Sequence, residues 1–158
     1  MKKILNTLRV TLFGIVSLGF MNYSNAHEEV NIPMDVNGDN AGFVAYATVT
    51  CSNGEGTGTP TDYFVAQVED LSPPQDNLFL SVQVIKDKGR LAANATDPVS
   101  GDGEPGPEAR VFGGNGLYHI LVNKTAAGLR TFNFTYHCKA IANDEHTLTS
   151  PPNVLYYQ

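Results

Sequence analysis

Residues 113–141 read GGNGLYHILVNKTAAGLRTFNFTYHCKAI, and the spacing within them decides the fold class. Phe132, Phe134, Tyr136, Cys138 and Ala140 alternate with Thr131, Asn133, Thr135, His137 and Lys139. Side chains along a strand point to opposite faces with period two, so this run has one apolar and one polar face. Upstream, Tyr118, Ile120 and Val122 alternate with His119, Leu121 and Asn123. The link TAAG, residues 125–128, ends in a glycine able to take positive φ, so the two strands are expected to pair as a hairpin.

The same period recurs along the chain. Phe43, Ala45, Ala47, Val49 and Cys51 share one face of a strand. Phe64, Ala66 and Val68 share another, which ends at Ser72, Pro73 and Pro74. Leu78, Leu80, Val82 and Val84 mark a third strand, turning at Lys88 and Gly89 into a weaker fourth over residues 90–95. A short edge strand is expected around Val30 to Ile32, and a last one over residues 153–158. No 3.6-residue period is found beyond the first 26 residues. Seven or eight short strands with one apolar face each predict an all-β fold, an antiparallel two-sheet β-sandwich of immunoglobulin-like or jelly-roll-like kind.

The start of the chain reads differently. Lys2, Lys3 and Arg9 precede an apolar run from Val10 to Met21, and Ser24, Asn25 and Ala26 offer the small residues a signal peptidase reads. Residues 1–26 are therefore expected to be a bacterial secretory signal, with residues 27–158 a single mature domain in the periplasm or outside the cell. The apolar run is too short for a membrane span of about 20 residues, and no later segment is apolar enough. Loss of the leader leaves seven basic and sixteen acidic residues, a formal charge of −9, which disfavours a nucleic-acid partner. In a bacterial setting the sequons at Asn22, Asn94, Asn123 and Asn133 carry no glycan.

Export bears on the only two cysteines, Cys51 and Cys138, which both fall on inward faces. An oxidising compartment favours a bridge between them. The long closed loop makes such a bridge worth roughly 4 to 5 kcal/mol in the chain-entropy view. The absence of Cys-x-x-Cys spacing argues against redox chemistry.

Tyr136-His137-Cys138 resembles the Tyr-x-Cys of the immunoglobulin fold, where Cys51 takes the place of the first cysteine. The chain has no tryptophan and 87 positions separate the cysteines, so only the inter-sheet bridge carries over. Gly116-Leu117-Tyr118 with its alternating continuation, followed by Phe132-x-Phe134, is similar to the bacterial pre-peptidase C-terminal type of secreted β-sandwich. That resemblance implies a non-catalytic module of exported proteins and brings no site residues with it.

Chemistry is sparse. No serine sits in a Gly-x-Ser-x-Gly elbow, the carboxylates lie in loops without paired spacing, and no glycine-rich turn opens a helix. A catalytic site is not expected. Asp35, Asn37 and Asp39 match the opening of a calcium loop, but Asn40 and Tyr46 occupy its sixth and twelfth positions, so a turn is expected instead. The acidic loop at residues 97–108, with Asp97, Asp102, Glu104 and Glu108, is expected to be solvated and flexible, with calcium as a lesser alternative.

Cleavage after Ala26 would expose His27, whose α-amine and ring nitrogen can chelate Cu(II). The arrangement is similar to the histidine brace of secreted copper proteins, with His119, His137 or His146 as a further imidazole ligand. Tyr63, Phe79, Tyr156 and Tyr157 are the aromatics available to stack on a glycan. The leading expectation is an exported structural or binding β-sandwich whose partner is another cell-envelope protein or a glycan. The alternative is a copper-binding protein using His27.

Overall fold

Ten strands are found among residues 27–158, the part of the chain that the computed structural model describes; the expected leader, residues 1–26, lies outside them. In chain order they are β1 (His27–Met34), β2 (Val44–Ser52), β3 (Tyr63–Asp70), β4 (Leu80–Lys86), β5 (Ala92–Thr96), β6 (Ala109–Val111), β7 (Gly116–Lys124), β8 (Arg130–Lys139), β9 (Leu148–Thr149) and β10 (Asn153–Tyr157). A single 3₁₀ turn covers Ala142–Asp144. One sheet has the order β1-β8-β3-β6 and the other β10-β2-β7-β4-β5, with β9 also pairing on β2. All the pairings are antiparallel. The two sheets pack face to face, as the repeated one-sided strands require.

The hairpin expected between Tyr118 and Cys138 does not form. β7 pairs with β2 and β4, whereas β8 pairs with β1 and β3, so residues 125–129 carry the chain from one sheet to the other. In a hairpin the two apolar faces would lie side by side and still need a cover. Set in opposite sheets, they cover each other. The expected turn at Lys88 and Gly89 does close a hairpin, with Ile85 opposite Ala92 and Lys88 in the left-handed region. The strands β6 and β9, three and two residues long, are too short for periodicity to register.

Between the sheets Phe64 stacks on Tyr118 at 5.0 Å, and Phe134 on Tyr136 at 5.1 Å. Val49, Leu80, Val82, Ile120 and Phe132 fill the space around them, all buried. Cys51 of β2 and Cys138 of β8 are joined as expected, with 5.5 Å between Cα atoms. The bridge ties an inner strand of one sheet to an inner strand of the other.

Charge is also buried, which the alternation did not foretell. Lys124 closes β7 and Arg130 opens β8, and both side chains are almost fully enclosed. Lys124 Nζ donates to Asp35 Oδ2, and Arg130 Nη1 lies 3.4 Å from Asp70 Oδ2. Asp35 also accepts the backbone N–H groups of Asp39, Asn40 and Gly128. Burial would raise the Asp35 carboxyl, but the Lys124 hydrogen bond and the Gly128 and Asn40 N–H groups outweigh it and hold it well below the usual range. The turn expected there is present, closed by Gly38 N–H donating to Asp35 O at 2.8 Å.

The acidic stretch at residues 97–108 is not the free loop expected. Gly103 N–H donates to Asp70 O at 3.1 Å, Gly106 N–H to Val68 O at 2.8 Å, and Pro105 bridges to Glu69. Gly101 adopts φ of 67°, and a Cβ there would collide with the Ser72 carbonyl oxygen. The segment is pinned along the end of β3. Its carboxylates do not converge: Asp97 is turned inward onto Val99 N–H, Asp102 onto Glu104 N–H, and Glu108 holds Arg110.

Candidate functional site

The inner face of β2 carries Ala45 and Ala47 before it reaches Val49 and Cys51, while β8 opposes it with Phe132 and Phe134 before Tyr136 and Cys138. At the cysteine end the bridge holds the sheets together. At the alanine end the small side chains cannot fill the gap between the sheets. The result is a cavity of about 210 Å³ whose lining is mostly apolar, with Ala45, Ala47, Ile120, Phe132, Phe134 and Val154 among its walls and Glu29, Tyr46 and Tyr157 as its polar members.

Two edge strands flank this slot. β1 ends one sheet and β10 the other, so the sandwich is open along that side. Both are interrupted there: the register of β1 breaks between Glu29 and Ile32, and that of β10 between Val154 and Tyr156. Tyr157 packs edge-on against Phe43 at 5.2 Å, and its hydroxyl donates to the Pro33 carbonyl, strapping one end of the opening. Glu29 is the one charged residue that lines the slot. It stands opposite Phe134 in the β1–β8 pairing. Burial, with the nearby Glu29 carboxylate adding to it, pushes the Tyr136 phenol up to about 12.

The four histidines singled out from sequence do not form one group. His119 lies on the outer face of the β2–β7–β4 sheet. Its Nδ1 meets the Tyr46 hydroxyl at 2.7 Å, and its Nε2 is 3.3 Å from Asp87 Oδ1. The other three lie on or beside the opposite sheet. His27 opens β1 and its ring stacks on Tyr136 at 5.5 Å. The rings of His137 and His146 sit 4.5 Å apart, inclined by 38°. Burial brings the His137 imidazole down to about 4, with His146 and Lys139 adding to the effect, and burial also lowers His146. Burial thus favours the neutral form of both rings. Among the described residues no three His, Cys, Asp or Glu side chains gather as metal donors.

No protein-family model, curated protein or solved structure matches this chain. What the chain can bind is accordingly read from its own geometry. Of the aromatics considered as a glycan platform, Tyr63 is buried beneath Phe112, 5.2 Å away, and donates its hydroxyl to Asp144. Phe79 is half-buried, and only Tyr156 and Tyr157 remain exposed. No flat row of the four exists. The slot was the feature sequence reasoning missed, although its signal was present: two alanines in succession on the apolar face of β2, where β4 and β7 carry leucine, valine, tyrosine and isoleucine.

Proposed function

We propose that the chain is an exported, non-catalytic binding protein of the bacterial periplasm or cell exterior, which holds the apolar part of a small ligand in the slot between β1 and β10. The observation that carries this reading is the slot itself: an apolar cavity open along one edge of the sandwich, with one carboxylate, Glu29, in its lining. A cavity of about 150 Å³ suffices for benzene in an engineered protein, so the 210 Å³ available here suits a short alkyl or single-ring group. The Glu29 carboxylate in the lining and the net negative charge of the chain favour a ligand with a cationic or hydrogen-bond-donating head.

Export is supported by the leader-like residues 1–26 and by the enclosed Cys51–Cys138 bridge, since such bridges persist in oxidising compartments. Among the described residues no helix is long and apolar enough to cross a membrane. A second reading, copper chelation through the amine and ring of His27, is favoured by one observation: β1 lies along β8 with His27 opposite Tyr136, near enough to His137 and His146 for its charge to lower both imidazoles.

The slot reading is tested by titrating the folded, oxidised protein with n-octylammonium and with n-octyl sulfate, following backbone amide shifts by NMR. Saturable shifts at Ala45, Ile120 and Val154 with the ammonium compound, lost in Ala47→Leu, are the expected result. Shifts of equal size and affinity in Ala47→Leu overturn it.

A further inference from the structure

The paired imidazoles of His137 and His146 stand outside the slot and take no part in the reading above. His137 lies on the outer face of β8, directly before the bridged Cys138. His146 is brought to it by a tight reversal of the chain. Ala140 N–H donates to Glu145 O at 2.8 Å, Thr147 N–H donates to Cys138 O at 2.9 Å, and Lys139 bridges to His146. Thr147 Oγ1 meets Thr61 Oγ1 at 2.6 Å, which anchors the returning segment beside the start of β3. The backbone on both sides of the pair is therefore fixed before any ligand arrives.

Two imidazoles held 4.5 Å apart on adjacent stretches of backbone are a chelate in waiting, because the entropy of bringing the donors together has already been spent in folding. His137 Nδ1 is enclosed and makes no hydrogen bond within the protein. A buried ring nitrogen in that state is unusual and costly, and a partner that accepts its lone pair removes the cost. Around the pair Lys139 and Asp144 hold each other at 2.8 Å, and Asp144 also accepts from Tyr63, so their opposite charges act on the two rings in opposite directions.

We propose that His137 and His146 form a two-imidazole site for a late first-row divalent ion, Cu(II), Ni(II) or Zn(II), completed by water. Imidazole suits these ions, and their affinities at a nitrogen site follow the usual order with Cu(II) highest. The site uses neither the His27 amine nor leader cleavage, which sets it apart from the brace arrangement, and it does not depend on the slot.

The experiment titrates the oxidised protein with Cu(II), Ni(II) and Zn(II) separately, by calorimetry and by the imidazole resonances of 1H–15N spectra. It uses the wild type, His137→Gln, His146→Gln, His119→Gln and a variant with one residue added before His27. One-to-one binding is expected, with perturbation of the His137 and His146 rings and an electron paramagnetic resonance spectrum of the Cu(II) form reporting two imidazole nitrogens. Since loss of an outer partner of a ligand already costs about 10 to 100-fold in metal affinity, loss of either ring should weaken binding at least about tenfold. His119→Gln and the extended variant should bind as the wild type does. Circular dichroism establishes that each variant is folded, and His146→Gln, which lies outside the strands on the segment leading to β9, gives the decisive reading if His137→Gln does not fold. Absence of binding, or unchanged affinity in a folded His146→Gln, overturns the proposal. Loss of affinity confined to the extended variant overturns it in favour of the His27 brace.

Discussion

Arg130, the first residue of β8, directs its guanidinium at Asp70, the last residue of β3, with Nη1 3.4 Å from Oδ2 and both side chains at 2% exposure or less. The same guanidinium donates to Pro73 O at 2.7 Å and Gln75 Oε1 at 3.0 Å. Asp70 in turn accepts from Ser72 N–H and Gly101 N–H. One buried ion pair thus gathers the end of β3, the proline-rich turn after it and the acidic segment at residues 97–108.

Removing one partner strands the other in a medium that solvates it poorly. Arg130→Met is expected to lower stability by about 3 to 5 kcal/mol, and the double variant Arg130→Met/Asp70→Asn by less than that. Urea unfolding of the wild type, Arg130→Met, Asp70→Asn and the double variant measures both. A double variant as unstable as the sum of the two single ones would mean that the charges do not interact.

Asp97 presents the opposite case. It is 3% exposed, its Oδ1 accepts from Val99 N–H at 3.1 Å, and its Oδ2 is enclosed with no partner. Burial pushes its carboxyl above the ordinary value. An acid whose folded pKa exceeds its unfolded one binds the proton more tightly when folded. Its contribution to stability therefore falls as pH rises from the ordinary carboxylate value through the folded one. Asp97→Asn keeps the Val99 contact and removes the charge, so a gain of about 1 kcal/mol is expected at pH 7. No gain is expected at pH 3. Thermal unfolding at the two pH values decides it, and an equal gain at both would assign the effect to something other than ionisation.

The Cys51–Cys138 bridge closes a loop of 87 positions. Replacing both cysteines by alanine, or reducing the bridge, should cost roughly 4 to 5 kcal/mol if the constraint on the unfolded chain dominates. Denaturant midpoints with and without reductant give the figure. A loss below 1 kcal/mol would place the stability of the sandwich in its packing alone.

Where β2 meets the slot, the packing is deficient. Ala47→Val adds two methyl groups to a gap that can hold them, and burying a methylene is worth about 0.8 kcal/mol, so a stabilisation of about 1 kcal/mol is expected. Val49→Leu, one step toward the bridge where Val49 is fully buried, should destabilise by about 1 to 3 kcal/mol through overpacking. If both changes destabilise alike, the two ends of β2 are equally filled and the slot is not a real defect of packing.

The strands were legible wherever parity ran for five residues or more. Phe43 through Cys51, Phe64 through Val68 and Phe132 through Cys138 each lay on the faces their spacing announced, and β6 and β9 escaped only for shortness. The pairing of β7 with β8 was misread, since proximity in sequence favours a hairpin and nothing local says that each strand needs the other as its roof. Of the site, the alanines of β2 were visible as small inward residues, but their meaning depended on Phe132 and Phe134 arriving opposite them from more than 80 positions away.

By itself the sequence determined the strand character of the chain, the inward direction of both thiols and the outward direction of His137, because the alternation of a strand's side chains is a local property of the backbone. Only the tertiary structure decided which strands are neighbours. From that choice follow the gap between Ala47 and Phe134, the enclosure of Lys124 and Arg130 with carboxylates from distant turns, and the meeting of His137 with His146. The physical reason is that hydrophobic burial rewards covered area regardless of which segments supply it, so a period of two tells each strand which side to hide and leaves open what will hide it.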